Sequence, residues 1–263
     1  TARDLRVADE EAFMQQLGVQ WGPKWVKRFK RMGGNGAWLT RLPSNFDGTA
    51  LTHDEWHDNI SIRYGMRPTR LPQQCDGCRA NFTVGHALTC KKGGLVTWRH
   101  NDARDEWEWL CKLALPDSSV GTEPFIFYGA GLRAGQGRGQ SVGEEGNGAP
   151  NEEDNDLGDE ARGDVSARGF FARRRVCIFD IRITDTDAPS YSNRSSAKVL
   201  ANAEKEKEDK YGKACKDRQR DFCPLVYSVD GLPGKKAKTA ERRLAALLAV
   251  KWKREYSEVV NFV

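Results

Sequence analysis

No stretch of this chain approaches the roughly 20 consecutive apolar residues of a membrane-spanning helix. That excludes a helical membrane protein. A basic start, an apolar run and a small-residue cleavage site are also missing, so export by a signal peptide is not expected. The first residue is Thr1 rather than methionine, which fits a piece of a longer polyprotein. Apolar residues make up only 38% of the 263, against 30% charged. Such a chain can build one substantial domain and something small beside it. Histidine is scarce, at 4, and the cysteines are odd in number, at 7. Three of those cysteines crowd around one histidine. That argues against a disulfide framework and for a metal site in a reducing compartment.

What is present is charge, unevenly spread. The formal net charge is +5, but residues 133–160 hold two arginines and eight acids, a net of −6. The rest of the chain therefore carries +11. A basic body suits a polyanionic partner. Residues 129–160 are rich in Gly, Asn, Asp and Glu and almost free of large apolar residues. Such a segment cannot bury enough surface to order itself, so a disordered insert within one domain is expected there.

The strongest local signal is Cys75-Asp-Gly-Cys78, then His86, then Cys90, a C-x2-C-x7-H-x3-C spacing. A Cys-x-x-Cys turn offers two thiolates to one ion, and a His/Cys pair on a helical turn completes a tetrahedron. A structural zinc on Cys75, Cys78, His86 and Cys90 is expected, and it would supply the folding energy of so small a unit. His53 and His57 also lie one turn apart, but no third ligand is near, so a surface or packing role is expected.

Residues 1–31 read as helical, ending in Trp21-Gly-Pro-Lys-Trp25-Val-Lys-Arg-Phe-Lys-Arg31. Two readings fit this mixture. Aromatics interleaved with cations can grip nucleic acid; alternatively, Trp25, Val26 and Phe29 pack inward on an amphipathic helix. Thr52 with Glu55 reads as a capping box for a helix that follows. Residues 98–115 have helical spacing, with Arg99, Asp102, Asp105 and Glu106 as a polar patch. Residues 123–128 read as a short strand.

In residues 176–184 the period of two sends Cys177, Phe179, Ile181 and Ile183 one way and Val176, Ile178, Asp180 and Arg182 the other. Asp164 lies on the neighbouring strand-like segment. An acid among half-buried apolar residues is costly unless paired or bound to metal. Asp185 and Asp187 read as turn residues. Ser195 or Ser196 then caps a long charged helix carrying Lys207 and Lys210 near its inward face. Either lysine can reach the acids. A strand at 222–229 and a final helix from about residue 238, with an Ala240, Leu244, Leu247, Leu248, Trp252 stripe, complete the order α-β-β-β-α-β-α.

That order, with an acid on each of two neighbouring strands, resembles the PD-(D/E)xK restriction-like nucleases. A Cys-Cys-His-Cys finger ahead of it is similar to the C-terminal region of R2-type, site-specific non-LTR retrotransposon proteins. The matching pieces are Ala37-Trp-Leu-Thr, the finger from Leu71, Arg99-His-Asn-Asp-Ala-Arg-Asp105, Asp164-Val-Ser-Ala-Arg-Gly-Phe170, Phe179-Asp-Ile-Arg-Ile183, Glu204 to Tyr211 and Ser228-Val-Asp-Gly231. The resemblance implies a helical region at 1–70, the zinc finger at 71–94 and an αβββαβ restriction-like endonuclease domain at 95–263.

It further implies nicking of double-stranded DNA in the nucleus, with catalytic Mg²⁺ or Mn²⁺ on Asp164 and Asp180, and Lys210 as the lysine moved onto the helix. Asp102 or Asp105 would join from the first helix. Element RNA and the rest of a reverse transcriptase polypeptide are implied partners. Gly163 stands where the name-giving proline would be, and Arg182 where a strand lysine would be. Arginine cannot serve as a base near neutral pH. No Tyr/Phe-x-Asp-Asp motif occurs, so no polymerase part is expected. A zinc-finger remnant that binds nucleic acid without cutting is the alternative. A zinc-stabilised structural domain is the third.

Overall fold

The computed structural model describes residues 2–39, 43–45, 50–128, 160–260 and 262–263. The expected acidic insert falls almost wholly on 129–159, outside the described residues. Helices α1 (Ala2–Trp21), α2 (Pro23–Met32) and α3 (His53–Arg63) come first. Gly22, at φ 86°, separates α1 from α2, and Pro23 opens α2 where its missing N–H is not needed. Thr52 and Glu55 form the expected capping box on α3. The short α4 (Val84–Thr89) belongs to the cysteine-rich unit and leads into α5 (Leu95–Ala114).

The rest is a mixed α/β unit. Strands β1 (Val120–Thr122), β4 (Val165–Arg168), β5 (Val176–Thr184) and β6 (Asp221–Ser228) form one sheet in the order β1-β4-β5-β6. A separate two-stranded ribbon pairs β2 (Phe125–Tyr128) with β3 (Glu160–Arg162). The sequence reading found β2 but not β1, three residues with a central glycine. It is β1, not β2, that extends the main sheet.

The first three strands of the sheet run antiparallel, and β6 is parallel to β5 across the crossover helix α6 (Ser196–Asp217). Ser195 is the N-cap of α6, accepting from the Lys198 N–H at 3.3 Å. Pro224 sits in β6, where a proline is tolerated because this strand has only one sheet neighbour. Helix α7 (Lys235–Trp252) starts three residues earlier than the apolar stripe suggested. Its N-terminus is capped from a distance: Glu204 of α6 accepts the Lys236 N–H at 2.8 Å. A short α8 (Tyr256–Val259) follows.

The alternation expected along β5 sorts the core. Cys177, Phe179 and Ile181 join Trp107, Leu110 and Cys111 of α5 and Leu244 and Leu248 of α7 in one cluster. Ile178 packs on the other face with Ile126 and with Tyr211 and Cys215 of α6. Helices therefore cover both faces of the sheet. Asp180 lies on the α6 side of the sheet.

Candidate functional site

Two sites come from the residues. The first is the cysteine cluster. Cys75 N–H donates to Ala80 O at 2.9 Å and Arg79 N–H to Cys75 O at 2.8 Å, which curls residues 75–80 into a tight knuckle. Gly77 is demanded there: a Cβ would stand 2.6 Å from the Lys92 carbonyl. Thr83 caps α4 by accepting the His86 N–H at 3.0 Å, and Cys90 follows at the helix end. The ligand atoms of Cys75, Cys78, His86 and Cys90 all lie within 4.8 Å of one another.

Cys75 Sγ and Cys78 Sγ are each 3.8 Å from Cys90 Sγ, and Cys78 Sγ is 3.2 Å from His86 Nε2. A tetrahedron with metal–sulfur bonds of about 2.3 Å has edges of about 3.8 Å. The set therefore fits a metal such as zinc. The Cys78 backbone N–H, followed by His86, holds the Cys75 thiol down to about 6, which favours the thiolate that a metal needs. Among the described residues, no other group of three or more His, Cys, Asp or Glu side chains converges in this way. His53 and His57 stack at the surface, 6.4 Å between ring centroids.

The second site lies where β3 hands over to β4. Val165 pairs with Phe179 in the antiparallel register, and Asp164 comes one residue before it, beside the middle of β5. Asp164 is in the linker ahead of β4 rather than within a strand. Its backbone N–H donates to Phe179 O at 2.9 Å, and its Oδ2 accepts the Ile181 N–H at 2.5 Å. Its Oδ1 faces His100 Nε2 of α5 at 3.1 Å.

Asp180 is buried, and Lys207 Nζ of α6 lies 2.8 Å from its Oδ2. The distance suits a charge-assisted hydrogen bond, but the angle is poor, and this oxygen has no well-aligned donor. Burial pushes the Asp180 carboxyl above its ordinary range; Lys207 opposes that and the Asp164 charge adds to it. The hydrogen bond to Asp164 raises the His100 imidazole, against the effect of its burial.

Lys207 is therefore the lysine that meets Asp180. Lys210 is exposed, with its Nζ 5.2 Å from the Tyr211 ring centroid. Arg182 turns to Glu206, 2.5 Å away on the same helix as Lys207. Asp102 and Asp105 are exposed, and Asp105 pairs with Arg104 at 2.9 Å. From α5 it is His100 that reaches the site. Sequence reasoning missed it, although it stands in the quoted Arg99-His-Asn stretch two residues before Asp102.

Gly163 also has a physical reason. Its N–H donates to Pro124 O at 2.9 Å, and a Cβ would come within 2.4 Å of Ile178 Cγ2. Proline lacks that donor and would not fit.

Asp185 is the expected turn residue, its Oδ1 accepting the Asp187 N–H at 2.9 Å. Asp187 does more. It takes both guanidinium ends of the buried Arg31 at 2.9 and 2.7 Å, and Asp230 takes Arg31 Nε at 2.5 Å. Lys27 donates to Thr186 O and to Tyr191 O. Part of the cationic face of α2 thus holds the helix onto the loops that follow β5 and β6.

No protein-family model matches the chain, and no curated protein matches it either. What the chain does is therefore to be read from its own residues.

Proposed function

We propose that this chain is a divalent-metal-dependent endonuclease region that nicks duplex DNA, of the kind carried by R2-type retroelement proteins. The observation carrying this reading is the Lys207 ammonium 2.8 Å from buried Asp180, with the Asp164 carboxylate near enough for its charge to push the Asp180 carboxyl up. The helix, three antiparallel strands, crossover helix and parallel strand support the restriction-like αβββαβ assignment.

Two carboxylates suit Mg²⁺ or Mn²⁺, which are held through one or two such groups, with water and substrate phosphate filling the remaining positions. Asp180 has a buried oxygen with no well-aligned donor, and its carboxyl is pushed up by burial and by a second acid; both are relieved by a cation. Asp164 and Asp180 would hold the ion. Bound there, it would lower the pKa of a water molecule and offset charge on the phosphate.

Lys207 then places a positive charge beside the phosphate and orients the attacking water. His100 and the Ile181 N–H fix the Asp164 carboxylate from two sides. Zinc on the Cys75, Cys78, His86 and Cys90 set would hold the finger against α5. Element RNA and the remainder of a reverse transcriptase polypeptide are proposed partners on the same reading.

The test is nicking of supercoiled plasmid with Mg²⁺ or Mn²⁺. Asp164→Ala, Asp180→Ala and Lys207→Ala are expected to lose about 100-fold or more, the scale of removing one transition-state donor. Lys210→Ala is expected to cut like wild type. Equal cleavage by wild type and Asp180→Ala would sink the reading. A second reading, a binder that does not cut, is favoured by the ion pair itself, because Lys207 already offsets the Asp180 charge. Salt-sensitive DNA binding without metal-dependent cleavage would select it.

A further inference from the structure

The turn joining β4 to β5 carries a charge cluster that packing does not explain. Phe170 is fully buried, and its ring centroid stands 4.9 Å from that of Phe179. Gly169, at φ 86°, donates its N–H to Arg175 O at 2.7 Å and closes the turn. Arg243 of α7 clasps the same turn, donating Nε–H to Phe170 O at 2.7 Å. The tip is thus held from below and from one side.

On it stand Phe171, Arg173, Arg174 and Arg175, all exposed. The start of α7 brings Lys235 alongside, and Phe171, Arg175, Lys235 and Phe222 line one cleft of about 640 Å³. Arg175 is tied to Asp221 at 2.6 Å. Arg173, Arg174 and Lys235 have no ion-pair partner among the described residues.

A fixed tip crowded with unpaired cations is strained by like-charge repulsion until a polyanion neutralises it. Outside residues 133–160 the chain carries a net +11, and exposed cations grouped at one tip suit a partner with closely spaced phosphates.

We propose that the β4–β5 tip and the start of α7 grip the phosphate backbone of duplex DNA. The inference rests on the nuclease reading for its choice of duplex.

The experiment is fluorescence anisotropy with the full zinc-loaded chain and a labelled DNA duplex of about three helical turns, without Mg²⁺, across a salt series. The triple variant Arg173→Ala, Arg174→Ala, Lys235→Ala is expected to weaken binding about tenfold or more at low salt. It should flatten the slope of log K against log salt by about 2–3, near 0.9 per lost phosphate contact. The charge-keeping variant Arg173→Lys, Arg174→Lys should retain most of both.

Unchanged affinity and slope in the triple variant, with an unchanged melting temperature, would overturn the proposal. So would failure of the wild type to bind duplex at low salt, or tighter tip-dependent binding of single-stranded RNA of equal length. Nicking by wild type but not Asp180→Ala, with tip-independent binding, would sink this inference and leave the nuclease reading standing. Tip-dependent binding without nicking would do the reverse.

Discussion

Asp180 is held at the expense of the fold. Burial disfavours its charged form, and Lys207 only partly offsets that. Its folded pKa lies above the unfolded value of about 3.9. A group shifted in that direction contributes stability below the unfolded pKa and loses it as pH rises through the folded pKa. Asp180→Asn is therefore expected to melt higher than wild type at neutral pH, by about 2–4 °C for each kcal/mol gained. The gap should shrink toward pH 4. Lys207, with its side chain 24% exposed, can turn to water when its partner is neutral. Added Mg²⁺ should raise the wild type and not the variant. Melting curves from pH 4 to 8, with and without Mg²⁺, decide it; a lower melting temperature for Asp180→Asn at pH 7 would contradict the account. The same residue shows where sequence reading stops. Period two placed Asp180 on a definite face of β5, and an acid there was suspicious from its neighbours alone. Which lysine meets it was not legible. Lys207 and Lys210 are three residues apart and only about 60° apart around the helix. The axial position of α6 over the sheet makes the choice, and Leu200 and Ala203 packing on Val226 of β6 help to set it.

At the scale of elements, α2 behaves as part of the sheet unit. Arg31, 4% exposed, reaches Asp187, Asp230 and Ser196, while Asn35 donates to Asp230 O at 2.6 Å. Arg63 of α3 in turn holds Asn35 Oδ1 at 2.9 Å and Met32 O at 2.8 Å. Removing Arg31 leaves two acids largely out of water without their partner, and breaking such a pair costs about 3–5 kcal/mol. Arg31→Ala is expected to lower stability by that order and to free α2 first. Acid should do the same. Burial raises the Asp187 carboxyl, but the hydrogen bonds and charge of Arg31, with Arg28 and Lys27, outweigh it and hold it below the ordinary carboxylate range. A depressed acid contributes stability above its unfolded pKa of about 3.9 and loses it as pH falls through the lower folded value. Hydrogen exchange of residues 23–32 should therefore stay slow at pH 5 and accelerate below about pH 4 in wild type. In Arg31→Ala it should be fast throughout; slow exchange in that variant would show that Trp25, Val26 and Phe29 hold the helix without the arginine. The sequence offered two readings of this helix. The inward-packing reading is the one seen: Trp25, Val26 and Phe29 are half-buried, while Arg28 and Arg31 meet carboxylates 150 or more residues away. Pairings at that separation leave no local trace.

Across the whole molecule, legibility followed the range of the interaction. The capping box, the Ser195 cap, the knuckle spacing and the alternation of β5 are local, and each is present in the fold. Strand β1 was invisible because three residues around Gly121 carry no period, and His100 because a lone histidine on a helix has no spacing to betray it. The cysteine unit is the part whose stability the sequence states most directly, and it separates from the rest. Cys75, Phe82 and Cys90, with Leu71, Cys78 and Ala87 against them, form a cluster distinct from the one that joins α5 and α7 to the sheet. So small a cluster cannot hold a fold, and metal binding to such units is itself the folding free energy, about 10–16 kcal/mol in isolated fingers near neutral pH. One zinc per chain is expected by elemental analysis, and none in Cys75→Ser. Chelation should unfold residues 71–94 while the sheet stays closed, because Trp107, Phe170 and Phe179 pack on one another and not on the knuckle. Hydrogen exchange read segment by segment after chelation checks this: rapid exchange at 75–90 with β5 still protected is the expected pattern. Loss of protection in β5 at the same chelator concentration would mean that the finger and the sheet fold as one cooperative unit.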